Sequence, residues 1–182
     1  MEKLDRLVDY LLAERGERGR VVIPASQEEK FRLYRSLVNV RPAVSADEDY
    51  LRTETEYLTA LTAQKGITDI ADLSPIEDGI CLWKGDITTL RCDAIVNATN
   101  AGMTGCWHPC HSCIHTFAGI RLRYRCSQIM EAQGHEEPTG RAKNTIYWSF
   151  LMCLETMGMR YTESCSVRIA RLRDETKTAD AS

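Results

Sequence analysis

The sequence predicts an α/β fold, and three observations predict it. Short apolar runs bounded by turn residues occur at 80–83 (ICLW) and 93–98 (DAIVNA), the form taken by strands buried on both faces of a parallel sheet. The second run leads into a polar loop and then into apolar residues at helical spacing, a strand–loop–helix unit. Ahead of both lies a stretch whose apolar residues recur only at helical period. The expected organisation is a helical extension over 1–73, an α/β part over 74–143, and a divergent, partly helical segment over 144–182 with a disordered tail.

In the helical stretch, Leu4, Leu7, Val8, Leu11 and Leu12 form one apolar stripe that ends at Gly16 and Gly19. Ser26 with Glu29 makes a capping-box pattern ahead of Phe31, Leu33, Tyr34, Leu37 and Val38, and Pro42 closes that helix. Ser45 with Glu48 repeats the signal ahead of Leu51, Leu58 and Leu61, with a stop at Gly66. These helices read as a packing layer without chemistry of their own. Ser74-Pro75 and Asp78-Gly79 mark turns, and Lys84-Gly85-Asp86 breaks the first strand. Further on, Ile114, Phe117, Ala118, Leu122, Cys126, Ile129 and Met130 predict a single helix that stops at Gly134. Ile146, Phe150, Leu151, Leu154 and Met157 predict an amphipathic helix, and 167–172 a further short element.

The 182 residues suffice for one ordinary domain, and 43% apolar with 27% charged residues is the composition of a soluble globular protein. A net charge of -3 gives no electrostatic footprint for nucleic acid. No run approaches the roughly 20 apolar residues of a membrane span, and the charged start lacks the form of a signal peptide. The expected setting is therefore cytoplasmic, without nucleic-acid or membrane partners. Thiols stay reduced there, so eight cysteines point to metal or catalysis more than to disulfides.

The densest chemistry lies in GCWHPCHSCIHTFAG, residues 105–119, which holds Cys106, His108, Cys110, His111, Cys113 and His115. Ligands in open α/β sheets bind beyond the carboxyl ends of strands, and this loop, with Asn97 and Asn100, falls there. Three readings stay open on the residues alone. Cys106, His111 and Cys113 have the spacing C-x4-H-x-C, a thiolate and imidazole set suited to zinc with a position left for substrate, which Cys110 could also close. Cys110 and Cys113 form a C-x-x-C at a helix start, where a lowered thiol pKa would support redox chemistry. A Cys/His nucleophile pair with His115 or His108 as base is the third. Set against all three is a loop whose cysteines and histidines merely pack or face water.

The segment LWKGDITTLRCDAIVNATNAGMTGC, with GCWHPCHSC, IHTFAG and GHEEPTGRAK, resembles the zinc-containing macrodomains of microbes, which act as protein-ADP-ribose hydrolases. With the helical start and KGITDIADLSPIEDGI, the resemblance covers residues 4–143. It implies a three-layer α/β/α fold that binds ADP-ribose or an ADP-ribosylated protein. On this likeness Asp86 would accept from the adenine amino group and Ile87 would lend its backbone. Asn100 would meet the distal ribose, Cys113 and Ile114 would line the ligand, and Cys106, His111 and Cys113 would hold zinc. Asn100 and His115 stand as the catalytic candidates. Without the likeness, Asp86 reads as a turn residue after Gly85, Asn100 as a loop asparagine serving local backbone, and Asn97 as a structurally buried amide.

Two departures from the family pattern carry weight. Cys113-Ile114 runs straight into His115-Thr116, so a short segment with an acidic residue is missing. After residue 143 the likeness stops, no Gly-rich phosphate loop follows, and the later part of the sheet is expected to be missing. The functional expectation is a zinc-dependent hydrolase of protein-linked ADP-ribose. An ADP-ribose-binding module or inactive truncated remnant, and a C-x-x-C redox protein, are the alternatives.

Overall fold

A computed structural model describes residues 2–92, 94–104, 112–138, 140–145, 150–154 and 167–170. Three helices come first: α1 (Lys3–Glu14), α2 (Gln27–Val40) and α3 (Glu48–Lys65). The α1 stripe is buried as its spacing predicts, with Leu4, Leu7, Val8, Leu11 and Leu12 packed on Tyr34, Leu37 and Val38 of α2 and Tyr50, Leu51 and Leu58 of α3. Ser26 caps α2 by accepting the Glu29 N–H.

The start of α3 differs from the expectation. Its cap is Asp47, whose carboxylate accepts the Tyr50 N–H at 2.6 Å, and not Ser45. The reason is Arg41. Its buried guanidinium pairs with Glu14 at 2.7 Å and also donates to the Val44 and Ser45 carbonyls at 2.7 and 3.0 Å. That holds 42–45 as a loop, and the helix begins two residues later.

The strands are short: β1 (Thr68–Asp69), β2 (Pro75–Glu77), β3 (Ile80–Trp83), β4 (Leu90–Arg91), β5 (Ile95–Thr99), β6 (Ala142–Thr145), β7 (Phe150–Leu154) and β8 (Val167–Ala170). β1 and β4 pair in parallel, so the pairing crosses the expected boundary at residue 73. β2, β3 and β8 make an antiparallel sheet, and β7 lies between parallel β5 and antiparallel β6.

Three expectations are corrected here. Strands β7 and β8 lie beyond residue 143, in the segment expected to be partly helical. The expected helix over 146–157 contains strand β7 instead. Its five consecutive residues, FLMCL, are all apolar, which suits the middle strand of a sheet better than a one-sided helix. Nor are β3 and β5 buried on both faces: Leu82 is 63% and Val96 57% exposed, and β5 is an edge strand among the described residues.

The predicted helix after the Cys/His loop is two helices, α4 (Ser112–Ala118) and α5 (Ile120–Gln133). Gly119 breaks them apart with φ +81°, a conformation that costs glycine little. The pair faces two ways. Phe117 and Ile120 join the helical core, while Ile114, Leu122 and Cys126 form a second core with Met103, Ile87 and Ile95 on the strand side. Gly134 ends α5 in the left-handed conformation, as its position predicts.

Candidate functional site: a cavity between the third helix and the first strand–loop–helix unit

Asp86 follows β3 and caps the 3-10 turn Ile87–Thr89. One carboxylate oxygen, Oδ1, accepts the Thr88 N–H at 3.0 Å and the Thr88 hydroxyl at 2.6 Å. The other, Oδ2, accepts from Lys65 Nζ at 2.7 Å. Partial burial alone would raise the Asp86 pKa, but the bonds from Lys65 and Thr88 outweigh it and hold the carboxyl below its usual range. Lys65 ends α3 and also lies over the Phe117 ring, 3.5 Å from its centroid.

Next to this pair is a cavity of about 440 Å³, within the size range of ligand pockets. Leu58, Thr59 and Thr62 of α3, Ile87 and Thr88 of the 3-10 turn, and Ile95, Ile114 and Phe117 are in its lining. Two of the expected substrate-binding residues, Ile87 and Ile114, therefore meet in one space, with Asp86 adjoining it in sequence.

The carboxyl end of β5 leads to Asn100, which is exposed. Its side-chain oxygen accepts the Thr104 N–H at 3.1 Å, and its carbonyl accepts the Met103 N–H at 2.9 Å. Asn100 thus shapes the 100–104 turn, in which Met103 takes φ +54° while its side chain is buried against Ile114. Glu137 fastens this turn from behind, donating its N–H to the Ala101 carbonyl at 3.0 Å while Gln133 and Lys143 hold its carboxylate. Those bonds, Gln133 first, lower its pKa. Asn97 is buried in β5, as expected.

Of the expected zinc set, Cys106 and His111 lie outside the described residues, as do His108 and Cys110 of the alternative readings. The backbone of Cys113 is in the first turn of α4. Among the described residues no three metal-capable side chains come together.

His115 is placed away from the cavity. It is 4% exposed and lies with Val38, Asn39 and Arg123 at the end of α2. Among the described residues neither ring nitrogen has a hydrogen-bond partner. Burial, with the nearby Arg123 cation, pushes its pKa down to about 4. His115 thus packs at the end of α2 and is not among the residues that line the cavity.

The sequence reading missed Glu54 altogether. Its carboxylate is 3% exposed and accepts from the Tyr34 and Tyr50 hydroxyls at 2.7 and 3.1 Å and from the Ile120 N–H at 3.0 Å. It therefore caps α5 from across the molecule and reaches the cavity wall. Burial raises its pKa despite the three donors. A glutamate in a helix gives no sign of this role until the fold supplies the donors.

No family model matches the chain. It is similar to a protein-ADP-ribose hydrolase of Treponema medium, 51% identical over 147 residues that cover 76% of this chain and 56% of the relative. It is also 43% identical over 148 residues to a protein-ADP-ribose hydrolase of Staphylococcus aureus (strain Mu50 / ATCC 700699), covering 79% of this chain and 55% of that one. A probable bifunctional ADP-ribose hydrolase/ADP-ribosyltransferase of Fusarium oxysporum f. sp. cubense is 41% identical over 126 residues, 61% of this chain and 21% of its own length. Among solved structures, a Trypanosoma brucei macrodomain superposes with a TM-score of 0.45 at 22% identity, over 69% of this chain and 58% of that one. The chain spans just over half the length of the first two curated relatives. No helix among the described residues is long and apolar enough to cross a membrane.

Proposed function

We propose that this chain is a macrodomain-type protein that binds ADP-ribose and, with zinc, hydrolyses ADP-ribosyl groups from modified proteins. The observation that carries the reading is the 51% identity over 147 residues to the Treponema medium protein-ADP-ribose hydrolase. The cavity agrees with it, because it brings together two residues, Ile87 and Ile114, that the family likeness assigns to the ligand.

In this reading Asp86 accepts the exocyclic amino group of adenine, a good match for an ionised carboxylate. Its lowered pKa keeps it ionised at neutral pH. The Ile87 backbone and the apolar lining hold the base, and the 100–104 turn presents the Asn100 amide toward the distal ribose. Water adds to the anomeric carbon of that ribose, the bond to the acceptor side chain breaks, and the leaving group takes the proton. The transition state has oxocarbenium character. Glu54 stays with the fold in this scheme, since its lone pairs serve Tyr34, Tyr50 and Ile120.

Cys106, His111 and Cys113 would hold the zinc. Thiolates and an imidazole are the donor chemistry that zinc takes, and three protein ligands leave a position open. Bound there, the ion would polarise the substrate or a water.

The test combines metal analysis with turnover. The wild-type chain is expected to carry about one zinc per molecule and to release ADP-ribose from an ADP-ribosylated protein, and Cys106→Ala to lose both. ADP-ribose binding without release would reduce the reading to a binding module. A chain that neither binds ADP-ribose nor carries zinc would refute it.

A further inference from the structure

The Asp86 carboxylate already carries three of the roughly four hydrogen bonds it can accept. Oδ1 is used by Thr88, and Oδ2 is held by Lys65 Nζ at 2.7 Å. Lys65 belongs to α3, which lines the cavity with Leu58, Thr59 and Thr62, and Asp86 caps the turn that adds Ile87 and Thr88 to the lining. The ion pair therefore joins two elements that line the cavity. Phe117, which lines the cavity, holds the ammonium in place from below by its ring face.

We infer that Lys65 is an affinity-determining residue that crowds Asp86 Oδ2 and competes there with the adenine base, so that tight nucleotide binding displaces the Lys65–Asp86 latch. This rests on the nucleotide reading above. The chemistry is a straight exchange of donors: an ammonium leaves the carboxylate and an exocyclic amine takes its place. The ion pair is about a third exposed, at 31% and 39% for the two side chains, so the latch is weak enough to open. Exposed ion pairs of this kind stabilise by up to about 1 kcal/mol. A side chain that cannot pair with Asp86 removes the competition, and affinity rises.

The experiment is calorimetric titration of ADP-ribose into the full chain and into Lys65→Met, Lys65→Arg and Asp86→Ala. Lys65→Met is expected to bind about two- to five-fold more tightly, the fold-change that an exposed pair of this strength converts to. Lys65→Arg, which keeps the pair, should bind as the wild type does, and Asp86→Ala should bind more weakly. Loss of stability in Lys65→Met cannot imitate the result, since destabilisation does not tighten binding. Equal or weaker binding by Lys65→Met, with Asp86→Ala still impaired, overturns the latch and leaves the nucleotide reading standing. Undiminished binding by Asp86→Ala overturns the latch and the role of Asp86 together. No binding by any of the four proteins overturns both inferences.

Discussion

Glu54 is the residue where burial and function of the fold are most tightly joined. A carboxylate at 3% exposure would be costly without partners, and here three donors from α2, α3 and α5 converge on it. The donors do not fully offset desolvation, so its pKa stays raised. The consequence for stability has a definite sign. The folded chain binds this proton more tightly than the unfolded chain, for which a carboxyl titrates near about 4.3. Stability from this group is therefore greatest below that value and falls as pH rises through the higher folded pKa. Glu54→Gln removes the titration. Urea unfolding across this range should show the wild type losing stability relative to Glu54→Gln as pH rises; a difference that is flat with pH, or of opposite slope, would contradict the assignment. The same carboxylate explains Gly119. A Cβ there would lie 2.6 Å from Glu54 Oε2, in a backbone conformation that side chains rarely adopt.

At the scale of the element, caps decide where helices begin. Ser26 was legible because Ser-x-x-Glu precedes an apolar stripe, and its carbonyl accepts the first helical bond, from the Lys30 N–H, at 3.0 Å. Ser45 has the same local pattern, yet its carbonyl is taken by Arg41 and Asp47 does the capping. The two sites can be told apart by substitution. Asp47→Ala should cost about 1 kcal/mol in thermal or urea unfolding, the usual worth of an N-cap, while Ser45→Ala should cost far less. Equal costs would return the cap to Ser45. The α4–α5 break has a similar cause. Apolar residues continue at helical spacing through Ala118 and Leu122, so periodicity alone predicts one helix. The break becomes visible only when a distant carboxylate takes the Ile120 N–H and a glycine supplies the bend. Strand β7 was misread for another reason. Spaced apolar positions fit a helical template even where every residue between them is apolar as well.

Across the whole molecule, the helical layer and the α4–α5 pair are one packed body. Phe117 and Ile120 sit in the same core as Leu4, Leu7 and Tyr34, and Thr116 donates to Asn39 at 3.1 Å. Arg123 makes the firmest link. Its Nη1 donates to the Val38, Asn39 and Arg41 carbonyls at 3.0, 2.9 and 3.0 Å, closing the end of α2 from α5. Burial, with Arg41 close by, lowers the Arg123 pKa, so those carbonyls offset a real desolvation cost. Arg123→Met leaves the carbonyls without their donor and should cost about 2–3 kcal/mol. Because both parts share a core, urea unfolding should keep a single transition that shifts as a whole. Two separated transitions would mean that the helical layer folds independently.

The sequence by itself determined the helical start, the positions of β3 and β5, the turn at Asp86 and the likeness to ADP-ribose hydrolases. Each of those is written in neighbouring residues, by spacing, by a turn dipeptide or by a contiguous motif. The tertiary structure alone decided that Ile87 and Ile114 share a cavity with α3, that Lys65 sits on Asp86, and that His115 packs against α2. It alone gave Glu54 its three donors. Such facts depend on which groups meet across separations of tens of residues, and local pattern holds no information about that meeting until the chain has closed on itself.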